Sequence, residues 1–197
     1  MNLHRATFKE VARIVRGAEL PPSYFFEYMG ESYATAQAVA VRRQAETGPR
    51  VRTLGQLIAE CERDAVRLTR DAWVTWWDSS ERHWLQRAER AFAKHFGGVV
   101  GEHLDPAIAR ADLRRLETDV APVKVYVDEH VAHADVRPRR TLPTFADLDR
   151  AIDTITSLMA KYYNLLTACI PMDPTPVMLD DWQAVFRRPW LERAQGS

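Results

Sequence analysis

Val123-Lys-Val-Tyr-Val-Asp-Glu-His-Val-Ala-His-Ala-Asp135 places two histidines, three carboxylates and a tyrosine within thirteen residues. At about 100° per residue of an α-helix, the valines at four-residue spacing form one apolar stripe. Tyr126, His130 and His133 are spaced i, i+4 and i+7 and lie along one flank of that stripe. Titratable groups beside a core are costly unless they are paired or used. The stretch therefore predicts a mostly buried helix with one chemically active edge.

The composition restricts the kinds of partner that the chain can have. With 197 residues, the chain is long enough for one sizeable core, and we expect residues 1–197 to form a single domain. Lysine plus arginine and aspartate plus glutamate both number 27, so the net charge is zero. Because a global positive charge is missing, any RNA site must be a local patch or lie at a subunit interface.

Two sequence features predict a cytoplasmic protein without a membrane segment. No run approaches the roughly 18 apolar residues of a spanning helix, and the amino terminus lacks the apolar region of a signal peptide. Cys61 and Cys169 match no metal-ligand spacing, and we expect both to be buried free thiols of the reducing cytosol.

Helical spacing of apolar residues extends along the whole chain, whereas strand and hairpin patterns are nearly absent. The predicted fold is all-α: an antiparallel helical bundle with an N-terminal helical elaboration and a C-terminal aromatic strap. The strap is the tail segment with Trp182, Phe186 and Trp190 at four-residue spacing.

Capping residues and prolines set the predicted helix boundaries. The predicted helices are Phe8–Gly17, Ser23 to about Ala45, Thr53 to Leu68, Ser79 or Ser80 to Lys94, Asp105 to about Ala134, and Phe145–Leu166. Asp105-Pro106 is a cap followed by proline at the first helical position, and Thr144 with Asp147 forms a capping-box-like start. Pro122 is expected to kink or split its helix. The last two helices are expected to pack antiparallel.

The segment from Asp105 to about Leu166 resembles the HEPN superfamily of helical RNA-linked domains, and within it the AbiU-type abortive-infection proteins. Such proteins carry a helix ending in Arg-Asp-Lys-x-Val-Ala-His-x-Asp, then a helix that starts with Pro-Thr. This chain has Val127-Asp-Glu-His-Val-Ala-His-Ala-Asp135 and then Pro143-Thr144. The tail similarly resembles the Asp-Trp-x-x-x-Phe-x-x-Pro-Trp endings of these relatives.

The resemblance implies an all-α HEPN-like core at about residues 105–168 and a homodimer. It also implies RNA cleavage or RNA binding in phage defence or toxin–antitoxin control, with a cognate antitoxin or defence protein as a further partner. In HEPN ribonucleases a histidine handles protons while an arginine a few residues earlier holds the phosphate. His133 matches that histidine, and Tyr126, Asp128 and His130 are the other candidate catalytic residues. Val127 stands at the arginine position, so we expect weak or absent ribonuclease activity.

Other arginines are candidates for the missing cation and for RNA binding. Arg137 follows His133 by four residues, and Arg139 and Arg140 lie in the same polar linker. Arg43 resembles an arginine that AbiU-type relatives carry on an earlier helix.

Several alternatives remain open at this stage. Each histidine can be a packed structural residue rather than a catalyst. Glu129 with His133, or His130 with His133, has chelating spacing, but matching ligands on other helices are missing, and we predict no metal and no cofactor. The competing functions are a metal-independent ribonuclease, a catalytically lapsed RNA- or protein-binding member, and a helical scaffold protein of a defence complex.

Two aromatic segments, Tyr24–Met29 and Trp73–Trp77, exceed what one small core easily buries. The tryptophans would suit base stacking, but no basic residue interleaves with them, so packing is the favoured interpretation. The surplus predicts that aromatic side chains take part in a homodimer interface.

Overall fold

The computed structural model describes residues 1–17, 23–76, 82–98, 101–131, 142–169 and 180–187. Within these ranges the chain forms seven α-helices and no strand beyond an isolated bridge between Thr69 and His103. The helices are α1 (Asn2–Gly17), α2 (Tyr24–Gln44), α3 (Leu54–Arg63), α4 (Arg70–Thr75), α5 (Arg82–Phe92), α6 (Pro106–Tyr126) and α7 (Phe145–Thr167). The predicted all-α bundle is confirmed.

The predicted caps are present because each satisfies an amide that the first helical turn leaves unpaired. Ser23, Thr53 and Asp105 accept hydrogen bonds from the amides of the residues two or three positions on. The Thr144 hydroxyl accepts from the Asp147 amide, and the Asp147 carboxylate accepts from the Thr144 amide. Local sequence therefore fixes where α2, α3, α6 and α7 begin.

Two predicted boundaries are wrong. Helix α1 begins at Asn2 rather than Phe8, because polar contacts with α7 hold its first turn: Arg5 Nη1 lies 2.6 Å from Asp153 Oδ1. Helix α3 ends at Arg63 and is followed by a 3₁₀ turn, Ala65–Arg67, which leaves Val66 exposed.

Helices α6 and α7 pack antiparallel, as predicted. Asp112 accepts hydrogen bonds from Lys161 and Tyr162, whereas Asp119, two turns further along α6, accepts from Thr154 at 2.7 Å. The α6 residue with the higher number therefore contacts the α7 residue with the lower number, as antiparallel packing requires. Pro122 does not split α6, because it lies on the exposed side of the helix, where water can bind the carbonyl that loses its partner.

The core lies where α2, α3, α6 and α7 meet. Its fully buried side chains include Val41, Ile58, Leu116, Val120, Val123, Ile152, Ile155 and Leu158. Trp73 is also buried, with its ring 5.8 Å from that of Phe92, and its Nε1 donates to the Asn164 carbonyl at 2.9 Å. Trp76 is exposed, and Trp77 lies outside the described residues.

The two cysteines differ in their environment. Cys61 is buried as predicted, and burial raises the pKa of its thiol to about 11. Cys169 is exposed, so the prediction of a second buried thiol is wrong. Both are free.

The described part of the tail is a 3₁₀ turn, Trp182–Arg187, in which Trp182 and Phe186 meet edge to face at 6.3 Å. Gln183 Nε2 donates to Glu10 of α1 at 2.9 Å. Trp190 lies outside the described residues, so the strap remains a prediction. None of the described helices has the length and apolar character needed to cross a membrane.

Candidate functional site

The polar stretch begins as the last turns of α6 and continues as a wider, π-helical turn over Val127–Val131, named here the motif turn. Such turns are rare and are frequent at functional sites. Val127 is buried in the core, whereas Asp128, Glu129 and His130 are half-buried. The apolar residue anchors the turn, and the three polar side chains line its surface.

Helix α2 brings a cation to the motif turn. The Nε of Arg42 donates to Asp128 Oδ1 at 2.6 Å, and its Nη1 pairs with Glu46 one turn further along α2. The hydrogen bond that Arg42 donates to Asp128 is the main cause that raises the pKa of Arg42 above its ordinary value. A half-buried guanidinium is therefore held between two carboxylates at the turn.

An aromatic and an imidazole ring pack against each other where α6 passes into the motif turn. The ring centroids of Tyr126 and His130 lie 5.8 Å apart at an angle of 56°. Tyr126 also lines a largely apolar cavity of about 130 Å³ whose walls include Ala38, Val123, Phe145 and Leu148. Tyr126 thus contacts the His130 ring and also lines the cavity between α2, α6 and α7.

A sequence model of a protein family, described as AbiU2 in the HEPN superfamily, matches residues 4–190. The chain belongs to the HEPN AbiU2 family. The match extends well beyond the Asp105–Leu166 segment that carries the resemblance, and it confirms the resemblance. No curated protein and no solved structure matches the chain. Membership of the HEPN AbiU2 family indicates a defence-related function of the abortive-infection type.

Three of the predicted site residues of this HEPN AbiU2 chain lie within the motif turn or directly before it. Tyr126, the last residue of α6, packs against His130 of the turn, whereas Asp128 pairs with Arg42 of α2. Arg43 is exposed, and its guanidinium has no ion-pair partner among the described residues. The remaining predicted residues, His133, Arg137, Arg139 and Arg140, lie outside the described residues.

Sequence reasoning missed Arg42, although the helical periodicity of α2 contains the signal. Val41 and Ala38 are buried, so α2 faces the core through them. Arg42 is rotated about 100° from Val41 and lies on the flank toward α6, whereas Arg43 is rotated about 200° and faces solvent. A helical projection centred on Val41 therefore predicts that Arg42, rather than Arg43, is the arginine that faces the site.

This arrangement has the groups needed for phosphate chemistry. A guanidinium can bind two phosphate oxygens at once, and an imidazole can transfer protons near neutral pH. Asp128 and Glu46 compete with any phosphate for Arg42. In the described ranges, no three histidine, cysteine or acidic side chains come together as metal ligands would.

Proposed function

We propose that this HEPN AbiU2 protein acts on RNA in phage defence, binding the phosphate backbone at the motif turn. In this proposal Arg42 replaces the motif arginine whose position Val127 occupies. The observation that supports it is the 2.6 Å contact between Arg42 Nε and Asp128 Oδ1, which brings a cation from α2 to the turn.

The chemistry proposed for the site is cleavage by an internal nucleophile. The 2′-oxygen of RNA bonds to the adjacent phosphorus, and the bond from phosphorus to the 5′-oxygen breaks. One group removes the 2′ proton and another gives a proton to the leaving oxygen. His133 and His130 are the imidazoles proposed for these roles, and Arg42 offsets the charge on the non-bridging oxygens. Tyr126 is a positioning residue for His130.

The two carboxylates at Arg42 lead us to expect weak cleavage by the isolated protein. A phosphate must displace Asp128 and Glu46 from the guanidinium before it can bind. Each carboxylate also repels the incoming phosphate. RNA binding is therefore the property to measure first, with cleavage as the second measurement.

The test compares arginine variants in fluorescence anisotropy with a labelled single-stranded RNA. We expect Arg42→Gln to weaken binding about tenfold, because one phosphate contact is lost. Arg42→Lys should restore part of the affinity, since it keeps the charge but not the planar fork. Arg43→Gln tests the alternative cation, and we expect its effect to be smaller.

Arg114→Gln is the matched control for charge, since Arg114 is exposed and has no ion-pair partner among the described residues. It lies thirteen residues before Val127, about 20 Å away along the α6 axis. An equal loss of RNA affinity in Arg42→Gln and Arg114→Gln would show that Arg42 is not part of a specific RNA site. If cleavage is detected, it should disappear in His133→Ala, and cleavage that survives this change would place the chemistry elsewhere.

A second candidate function is a non-catalytic interaction protein of a defence complex. Met159, Tyr163 and Leu166 are exposed on α7 at helical spacing, and Leu166 lines a small pocket together with the exposed Trp76. A protein partner, such as a cognate antitoxin, would cover this apolar surface. This function predicts that Tyr163→Ser with Leu166→Ser abolishes protection against phage in a plating assay, while the wild-type protein binds no RNA.

A further inference from the structure

A groove of about 880 Å³ lies between the α2–α3 loop, the first turns of α3 and Met159 of α7. Arg50 and Arg52 line it, and both are exposed. Leu57 and Met159 give the groove an apolar surface. The groove is separate from the motif turn, because Gln44, which lines it, is rotated about 200° around α2 from Arg42.

Hydrogen bonds hold the loop that carries the two arginines. The Gly48 amide donates to Gln56 Oε1 at 2.7 Å, and the Leu54 amide donates to Gln44 Oε1 at 3.2 Å. Gly55 allows close approach of the two helix ends, since a Cβ there would lie 3.0 Å from the carbonyl oxygens of Ala45 and Glu46. These contacts hold both ends of the segment that carries Arg50 and Arg52 before any ligand binds.

Within the part of the chain that the structure describes, the arginines of this groove are free of competing carboxylate partners, whereas Arg42 is not. Among the described residues, neither Arg50 nor Arg52 has an ion-pair partner, whereas Arg42 has two. Glu60, the carboxylate in the lining, accepts a hydrogen bond from Gln56 Nε2 at 2.8 Å. The Cα atoms of Arg50 and Arg52 are at most about 7 Å apart, so the two guanidinium groups can bind neighbouring phosphates of one strand.

We propose that this groove binds the backbone of single-stranded RNA, as a second RNA contact in addition to the motif turn. This proposal rests on the proposed function. The two arginines bind phosphates, and the bases contact the apolar surface of Leu57 and Met159. RNA fits better than an acidic peptide, because tight peptide docking uses deep pockets for large apolar anchors, and this groove is open and flanked by cations.

The test measures binding of a labelled oligouridylate of about twelve nucleotides, within the usual range for single-strand sites, at several salt concentrations. Arg50→Gln/Arg52→Gln should weaken binding about tenfold and reduce the slope of log K against log salt by about 1.4, or about 0.7 per lost contact. Arg90→Gln/Arg114→Gln is the matched control, with the same charge change at exposed arginines that do not line the groove. Arg50→Lys/Arg52→Lys should keep most of the salt slope.

The outcomes separate this inference from the proposed function. If Arg50→Gln/Arg52→Gln leaves affinity and slope unchanged while Arg42→Gln weakens binding, the groove is not an RNA contact and the proposed function stands. Absence of any RNA binding by the folded wild-type protein overturns both. Polyglutamate binding that needs Arg50 and Arg52, without RNA binding that needs them, would assign the groove to an acidic protein partner instead.

Discussion

At the motif turn, the charge of one aspartate controls how available Arg42 is to a phosphate. Asp128→Asn keeps an oxygen that can accept from Arg42 Nε but removes the negative charge. We expect RNA affinity to rise, by about threefold to tenfold, because a like charge facing the phosphate is removed. Asp71→Asn is the control, since Asp71 is an exposed aspartate on α4, outside the motif turn. Equal gains of RNA affinity in both variants, or a loss of affinity in Asp128→Asn, would contradict the proposed control of Arg42 by Asp128.

Adjacent tyrosines on α7 have opposite environments and make a matched pair for stability. Tyr162 is 1% exposed and donates to Asp112 at 3.1 Å, and burial is the main cause that raises its pKa, so it stays neutral. Tyr163 is 50% exposed. Tyr162→Phe should lower the free energy of unfolding by about 1–2 kcal/mol, since it removes a hydrogen bond to a carboxylate. Urea unfolding should show almost no change for Tyr163→Phe, and equal effects would contradict the Asp112 contact.

Among the elements, those with strong local signals were predictable from sequence. Thr144 with Asp147 and Asp105 with Pro106 mark the starts of α7 and α6 because their capping bonds span only two or three residues. The start of α1 is not predictable from its own sequence, because Asn2 and Arg5 are held by contacts with α7. The π-helical form of the motif turn and its pairing with Arg42 depend on tertiary packing, which the spacing of one helix cannot reveal.

The capping box of α7 should be measurable as a pH-dependent contribution to stability. Thr144→Ala should lower the free energy of unfolding by about 1 kcal/mol at neutral pH. Hydrogen bonds from Thr144 lower the pKa of Asp147 below its ordinary value. A carboxyl with a lowered folded-state pKa stabilises the protein above the unfolded-state pKa of about 4 and loses this effect as pH falls through the folded value.

The difference between wild type and Thr144→Ala should therefore shrink when unfolding is measured by circular dichroism at about pH 3 instead of pH 7. Thr75→Ala is the control, because the Thr75 hydroxyl bonds only to a carbonyl one turn earlier in α4 and caps nothing. A pH-independent difference for Thr144→Ala would mean that Asp147 does not contribute through the capping box.

For the molecule as a whole, packing of the helices within one chain leaves aromatic side chains of α2 exposed on the surface. Tyr24 is 89% exposed and Tyr28 is 67% exposed, at four-residue spacing on one side of the helix. Burying such rings between two chains removes a large apolar area from water. We therefore expect a homodimer that uses this side of α2, in which the two copies of the chain supply the same surface.

Light scattering coupled to size exclusion should give twice the mass of one chain at micromolar concentration. Tyr24→Ser/Tyr28→Ser should shift the protein to the monomer mass while its circular dichroism stays helical, because these side chains contribute little to the core of one chain. Trp76→Ser is the control, since it removes an exposed ring directly after α4 and changes nothing in α2. Dimer loss in the control but not in the α2 variant would move the interface to the Trp76 side. A wild-type monomer would exclude dimerisation under these conditions, and RNA binding by that monomer that is weakened in Arg42→Gln would show that the Arg42 site works within one chain.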